Sequence, residues 1–472
     1  MRNTLGLAAA FGIAAMAGGC AQWHRHAATS SHVRGDDLAP VRALGPAQAA
    51  EPIELTDESD LGSYLAYAAA NDPGLEAAFH RWKAALERVP QVESLPDPRL
   101  SYRYYVSEVE TRVGAMRQGV GLSQTFPWLG TLELRGDAAA QAAKAARHRF
   151  EAARLKLFHE VTRAYTEYYH LGRRIAVVRE NLALVRQMEQ VARARYRAAA
   201  ASHPSVVRAQ VELGKLEDRL RSLEDLRGPM MADLNAALDR PPEAELPWPA
   251  SVPRAAVSLT DADVLGRMAR SNPELLAMDA ETEAARRRVD LARKAYYPDV
   301  TLGVDYVDVT DRTGPAPPGD SGQDALAVMA SVNLPIWYDK LAAGVREARH
   351  RVWAASLTRS RRSNELAAKL KLALYRFRDA GRKLDLYRNT LIPKGTEALK
   401  TSTAAFRAGE VGFTDVIDAQ RTLLEFELAA ERAVADRARR LAELEMLVGE
   451  DLTGTTPRPA PDEPPPDEER QP

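Results

Sequence analysis

The sequence lacks several features that would place it in common functional classes. It has no basic excess, because 64 Lys and Arg residues stand against 65 Asp and Glu residues, so no net charge favours a nucleic acid backbone or an anionic lipid surface. Its single cysteine excludes an intrachain disulfide. Beyond the N-terminal stretch, no apolar run reaches the roughly eighteen residues that a spanning helix needs. Any passage across a bilayer would therefore have to use β-strands.

The motifs of common enzymes are also missing. There is no HExxH, no second cysteine, no Gly-rich phosphate loop and no Ser/His/Asp arrangement tied to a strand end. His24, His26 and His32 lie in a polar leader, where scattered histidines are more often incidental than metal ligands. We therefore expect no enzyme activity, no cofactor and no metal site.

The N-terminus has the pattern of a secretion signal. A positive charge, an apolar stretch and small residues predict a signal peptide at 1–19. The small residues before Cys20 resemble a bacterial lipobox, so Cys20 is the predicted lipidation site; a cleaved signal with an incidental cysteine is the alternative. Residues 20–58 would form a lipid-anchored, disordered leader, and the Pro- and acid-rich residues 451–472 a disordered tail.

The chain contains two copies of one pattern. Matched segments occur in the same order in both halves, which indicates an internal duplication. The copies cover residues 59–240 and 260–450, and a Pro-rich linker joins them at 241–259. The matched pairs include Pro73 with Pro273 at an offset of 200, Pro127 with Pro335 at 208, and Gln210 with Gln420 at 210.

Within each copy, two stretches alternate between apolar and small or polar residues, which is typical of half-buried β-strands. Each stretch has about ten residues, the length that a tilted membrane-crossing strand needs. Four strands cannot close a barrel, since the smallest membrane barrels use about eight, so several chains must share one. The predicted strands are residues 99–108 and 117–126 in the first copy and 299–309 and 325–334 in the second.

A long stretch with very little Gly or Pro follows each pair of strands, at residues 131–200 and 340–408. Ala, Leu, Arg and Glu dominate both, which predicts helices about 100 Å long. Pro393 is expected to kink the second helix, because proline removes a backbone donor. Asp72 and Asn272 each precede a proline and predict helix starts. The helices alone are equally compatible with a soluble coiled-coil protein, and the strands favour a membrane protein.

The duplicated pattern, and above all the segment FRAGEVGFTDVIDAQ, resembles the TolC-type outer membrane efflux proteins over about residues 60–450. The resemblance implies a mainly α fold with a small β-barrel part. In that fold a homotrimer joins four transmembrane strands from each chain into a twelve-stranded barrel, which stands on a helical tunnel across the periplasm.

The resemblance also implies a function. The chain would be the outer-membrane channel of a tripartite efflux system in a bacterium, lipid-anchored, surrounded by outer-membrane lipid and not bound to nucleic acid. Its partners would be a periplasmic adaptor (membrane fusion protein) and an inner-membrane RND pump. The QTFPWLG segment and the lipid-type N-terminus are most similar to those of lipoprotein channels that serve heavy-metal and multidrug RND exporters. The resemblance therefore leaves metal cations and drugs as substrate classes. The alternative is a periplasmic coiled-coil structural or adaptor protein without a membrane barrel.

The same resemblance assigns a site. Asp415 and Asp418 match paired aspartates at the narrow periplasmic end of such channels, and Val411, Gly412 and Phe413 match the tip that meets the adaptor. Carboxylates one turn apart share a helix face, so three copies would make an acidic constriction that attracts cations. The alternative is that the two aspartates cap and solubilise a turn. The first copy has Ser205 and Arg208 at these places, so the ring would be three-fold.

Overall fold

The computed structural model describes residues 54–199, 202–253, 260–314 and 316–452. The predicted signal peptide, Cys20, the leader histidines, most of the leader and nearly all of the tail lie outside the described residues, and they stay predictions. Within the described ranges, no helix combines the length and the apolar character needed to cross a membrane.

Both copies follow the same order of elements: two short helices, a β-hairpin, a long helix and a returning helix. The first copy contains α1 (Leu61–Asn71), α2 (Pro73–Glu93), β1 (Arg99–Thr111), β2 (Gly114–Phe126), α3 (Thr131–Arg197), α4 (His203–Asp225) and α5 (Arg227–Ala237). The second contains α6 (Asp261–Ser271), α7 (Pro273–Lys294), β3 (Val300–Val309), β4 (Ala325–Val332), α8 (Tyr338–Leu386), a π-helical turn (Tyr387–Leu391), α9 (Ile392–Ala408) and α10 (Phe413–Val448).

The starts of α2 and α7 confirm the predicted pairing of a cap with a proline. The Asp72 side chain accepts a hydrogen bond from the backbone N–H of Leu75, and the Asn272 side chain accepts one from Leu275. The proline that follows each cap occupies the first helical position, where a backbone donor would have no partner inside the helix. The duplication is therefore visible in the backbone geometry as well as in the amino-acid sequence.

The two long helices differ. Helix α3 is unbroken and ends at Arg197, three residues before the predicted end. The second long helical segment runs from Tyr338 to Ala408, and the interruption expected at Pro393 is a π-helical turn that separates α8 from α9. Proline has no N–H and crowds the preceding turn. In the π turn the N–H of Ile392 donates to the carbonyl of Tyr387 instead, so one wider turn accommodates Pro393.

The strands form one antiparallel sheet in the order β1-β2-β3-β4, and the β2–β3 pairing joins the two copies. Strands β1 and β2 extend further toward each other than predicted, to Thr111 and from Gly114, because a tight turn connects them. Gly114 has φ +144, and a Cβ there would lie 1.7 Å from the carbonyl oxygen of Thr310. Strand β4 ends at Val332, two residues before the prediction.

The two faces of the sheet differ in chemistry. One face exposes large apolar side chains, among them Val106 and Val328 with 92% and 81% of their surface exposed. On the other face the Arg103 guanidinium binds the Asp305 carboxylate, although their strands are separated by β2. Gly121 of β2 lies beneath this ion pair, and a Cβ there would lie 2.4 Å from an Asp305 oxygen. Among the described strands, β1 and β4 each pair on one side only.

Residues 241–253, predicted to be a linker, pack against α3. The Trp248 ring stacks on Tyr168 with centroids 4.5 Å apart, and the Tyr165 hydroxyl donates to the carbonyl of Ser251 at 3.0 Å. The buried Asn235 side chain donates to the carbonyl of Ala244 at 2.7 Å. Residues 241–253 are thus packed into the fold, and they share a hydrophobic core with α1 and the middle of α3.

Candidate functional site

The turn between α9 and α10 and the first two turns of α10 carry all five of the predicted site residues that the structure describes. Helix α9 ends at Ala408, and Gly409 follows with φ +89, a left-handed conformation that glycine adopts without strain. The Glu410 N–H donates to the carbonyl of Ala405 at 2.9 Å, which closes the helix end. Gly412 has an ordinary φ of −75. The turn therefore needs glycine at position 409, within the 409–412 stretch where the sequence predicts the chain to reverse.

Asp415 caps the start of α10. One of its carboxylate oxygens, Oδ2, accepts a hydrogen bond from the backbone N–H of Gly412 at 3.0 Å. A negative charge in the first turn of a helix is also favoured by the helix dipole. The Asp415 side chain is exposed nonetheless, so it combines a capping role with a carboxylate that faces solvent in the single chain.

Asp418 lies one turn later and is less constrained. Its side chain is 64% exposed, and its nearest cation is Arg421, at 3.6 Å. Arg421 is bound more closely by the buried Glu212 of α4, whose Oε2 accepts from Nε at 3.1 Å. The hydrogen bond with Glu212 raises the pKa of Arg421. Arg421 thus serves mainly to neutralise Glu212, and it leaves the Asp418 charge largely unscreened.

The three residues of the predicted tip are not equivalent. Gly412 is exposed and Val411 is half-buried, whereas the Phe413 side chain is only 3% exposed. Its ring meets Phe406 edge to face with centroids 5.3 Å apart, and the Arg195 guanidinium lies 4.8 Å from the centre of the Phe406 ring. Phe413 therefore holds the turn against α9 and α3, and only Val411 and Gly412 offer surface to a partner.

The corresponding turn of the first copy has different chemistry. Ser205 and Arg208 stand where the second copy has the two aspartates, and both lie near the start of α4. Arg208 donates to the hydroxyl of Thr414, so it reaches the start of α10 beside Asp415. The structure brings the two turns together through this contact, and the acidic pair belongs to the second copy alone.

A buried polar cluster lies about two to four turns beyond the tip, and no sequence motif pointed to it. The fully buried Gln420 donates to the side-chain oxygen of Asn181 at 3.0 Å, and Asn181 donates to Glu427 at 2.8 Å. Burial raises the pKa of Glu427, the nearby Glu180 adds to this, and the Asn181 hydrogen bond opposes it. The repeat matched Gln420 with Gln210, but Gln210 is exposed. The cluster ties α10 of the second copy to α3 of the first, whereas the exposed Gln210 of α4 donates to Glu189 of α3 at 3.5 Å.

These features define a class of protein: a duplicated chain of long packed helices that carries a small antiparallel sheet with an exposed apolar face. The chain belongs to the outer membrane efflux protein family, whose model matches residues 65–238 and 264–450. The predicted family and the mainly α fold of TolC type are thereby confirmed.

Individual relatives agree with this assignment. The cobalt-zinc-cadmium resistance protein CzcC of Cupriavidus metallidurans is 23% identical over 402 residues, covering 83% of this chain and 88% of CzcC. Among solved structures, CusC has a TM-score of 0.69 at 14% identity, with coverage of 86% of this chain and 98% of CusC. The open state of the MtrE outer membrane channel of Neisseria gonorrhoeae has a TM-score of 0.65 at 18% identity, with coverage of 86% and 95%.

Proposed function

We propose that the chain is the outer-membrane channel of a tripartite efflux system, a passive conduit through which substrates leave the cell. The observation that carries the proposal is the four-stranded sheet. One face exposes large apolar side chains, and the opposite face carries mainly small or polar ones. A face with Val106 and Val328 more than four-fifths exposed is expected to contact lipid, and the opposite face is suited to a water-filled lumen. A soluble coiled-coil protein would not need such a sheet.

The assembly that fits this sheet is a homotrimer. Strands β1 and β4 each have one edge without a partner among the described residues, and an open edge is not tolerated in a bilayer. Pairing of β1 with β4 of the next copy satisfies both edges. Three copies give twelve strands, which exceeds the roughly eight of the smallest membrane barrels.

The partners and substrates follow from the family. The channel would receive substrate from an inner-membrane RND pump through a periplasmic adaptor, which would bind the tip at Val411 and Gly412. The name of CzcC refers to cobalt, zinc and cadmium resistance, so metal cations are one substrate class, and drugs are the other. We place the protein in the bacterial outer membrane, with a lipid on Cys20 and outer-membrane lipid around the sheet.

Conductance tests the conduit directly. The detergent-solubilised protein should run as a trimer in light scattering and should form discrete conductance steps in planar bilayers. A monomer, or a trimer without conductance, would overturn the proposal. Carbonate extraction separates the alternative, since a soluble coiled-coil protein leaves the membrane fraction and a barrel stays.

We assign the gate to Asp415 and Asp418, as a three-fold acidic ring at the periplasmic end. Support comes from the exposed carboxylates, from the loose 3.6 Å contact of Asp418 with Arg421, and from their absence in the first copy. Charged rings of this kind set the ion selectivity of pores.

The double substitution Asp415→Ala and Asp418→Ala should raise the conductance of the closed end and weaken block by multivalent cations about tenfold, because the ring charge is removed. Asp415→Asn alone separates the capping role, since asparagine still caps a helix. Asp218→Asn, an exposed carboxylate on α4, is the matched control and should leave the block unchanged. An unaltered cation response in the double variant would refute the ring.

A further inference from the structure

Three arginines from three helices converge on one cavity near the helix–strand junctions. Arg88 of α2, Arg135 of α3 and Arg288 of α7 line a cavity of about 270 Å³. The rest of its lining is apolar: Ala138, Ala139 and Ala142 of α3, with Ala85 and Val92 of α2 and Leu291 of α7. A neighbouring cavity of about 480 Å³ shares Arg88, Arg135 and Val92.

The charges of these arginines are poorly compensated. Across the described residues, neither Arg135 nor Arg288 has a carboxylate within ion-pair distance, and Arg88 donates only to the Gln91 amide oxygen at 3.2 Å. The neighbouring Arg287 shows the contrast, because it binds both Asp137 and Glu283. One acid, Asp97, lines the second cavity. The joint cavity therefore carries three positive charges against one negative charge, although the whole chain is close to neutral.

The cavity lies at the end of the helices that is next to the sheet. Arg135 is five residues into α3 and Leu291 is three residues before the end of α7, which puts the cavity about 5–10 Å from the strand junctions. At that junction the Trp128 ring stacks on Tyr297 with centroids 5.0 Å apart. Trp and Tyr are typical of the boundary between membrane and water, and a lipid headgroup layer adds about 5–7 Å beyond the hydrocarbon.

If α3 is part of a conduit wall, the cavity would lie on the outer side of that wall. The stripe of α3 that lines the cavity continues along the helix to Phe150, Leu157 and Ala164, which pack in the core shared with α1 and the segment that ends at Val252. A second layer can cover a tunnel wall only on the side away from the lumen. This step rests on the proposed function, since it assumes that α3 is part of a conduit.

We propose that Arg88, Arg135 and Arg288 bind the phosphate of an anionic phospholipid from the inner leaflet of the outer membrane. Arginine is suited to phosphate, because its planar donors bind two oxygens at once. The apolar lining accepts the glycerol and the start of an acyl chain, which a free phosphate does not need. The bound lipid would fix the depth at which the channel sits in the membrane.

The test is native mass spectrometry of the detergent-solubilised protein titrated with phosphatidylglycerol. The variant R88Q/R135Q/R288Q should bind this lipid at least about tenfold more weakly than the wild type, because three charge-assisted contacts are lost. The matched control is R81Q/R346Q/R349Q, which removes three exposed arginines that also lack a carboxylate partner among the described residues. The control should bind as the wild type does, and circular dichroism should show both variants folded.

Any of four results would overturn the inference. Equal binding by the cavity variant and the wild type removes the site, and an equal loss in both variants reduces it to a general charge effect. Displacement of the lipid by inorganic phosphate at the same concentration assigns the cavity to free phosphate. If the triple variant does not fold, Arg288→Gln alone should weaken binding about threefold, and unchanged binding there also overturns the site. Conductance of the wild type tests the conduit separately. A protein that binds the lipid but shows no conductance would refute the conduit, and the anion site would still stand.

Discussion

The two copies of the repeat share a backbone plan and differ in the side chains that occupy it. The first has one unbroken long helix and a returning helix divided at Leu226, whereas the second has its interruption in the long helix, at the π turn, and an unbroken α10. The tip of the first copy carries Ser205 and Arg208, and that of the second Asp415 and Asp418. The two copies therefore keep the same architecture, while the acidic pair of the tip occurs in the second copy alone.

The largest difference in stability between the two copies is expected at the ends of the returning helices. Gly449 follows α10 with φ +92, and Asp239, at the equivalent place 210 positions earlier, has φ +55 after α5. A Cβ on Gly449 would lie 2.4 Å from the carbonyl oxygen of Ser271, the last residue of α6. Gly449→Ala should therefore lower the free energy of unfolding by about 3 kcal/mol, from left-handed strain plus backbone overlap.

The matched change is Asp239→Gly, which should stay within about 0.5 kcal/mol, because aspartate tolerates the left-handed region. Guanidinium titration followed by circular dichroism compares the two. Similar losses in both variants would mean that the two helix ends are equivalent after all.

The helix caps should show a smaller difference in the same direction. Asn272 caps α7 and also donates to the carbonyl of Leu447 at 2.8 Å, and it is only 3% exposed. Asp72 is half-buried, and its cap bond to Leu75 is the contact that the structure shows for its side chain. Asn272→Ala should cost about 2–3 kcal/mol, from the lost cap and the buried carbonyl left without a partner.

Asp72→Ala should cost about 1 kcal/mol, from the cap alone. The difference between the two unfolding midpoints in the same titration is the measurement. Equal costs would show that the Asn272 contact with α10 adds nothing.

The smallest expected effect concerns pH. Burial raises the pKa of Glu445 to about 7, and the nearby Asp451 adds to this; the matched residue of the first copy is the neutral Asn235. Because the folded protein holds this proton more tightly than the unfolded chain does, the free energy of unfolding should fall between about pH 4.5 and 7 and stay level above that. Partial exposure limits the fall to about 1–2 kcal/mol.

Glu445→Gln should flatten this part of the pH profile and make the protein more stable than the wild type at pH 8. The measurement is the unfolding midpoint at closely spaced pH values, with Glu425→Gln, an exposed residue of α10, as control. A profile of the Glu445→Gln variant that parallels the wild type would contradict the assignment.

Much of the fold was predictable because its signals are local. A cap followed by proline, an alternation of apolar residues and a long stretch with little glycine or proline each act within a few residues, and each led to the correct type of element. The π turn was missed because proline signals an interruption without specifying how the chain accommodates it. The tip was only partly predictable, since the burial of Phe413 depends on Phe406 and Arg195, and Arg195 lies more than two hundred positions away in the sequence.

The ion pair between Arg103 and Asp305 has a mechanical consequence. It links β1 of the first copy to β3 of the second, across the strand pairing where the two copies meet. Lateral strain on the sheet would thus have to break a charged pair as well as backbone hydrogen bonds before the halves of one chain could separate. In the proposed ring of chains, each protomer would therefore move as a single four-stranded unit.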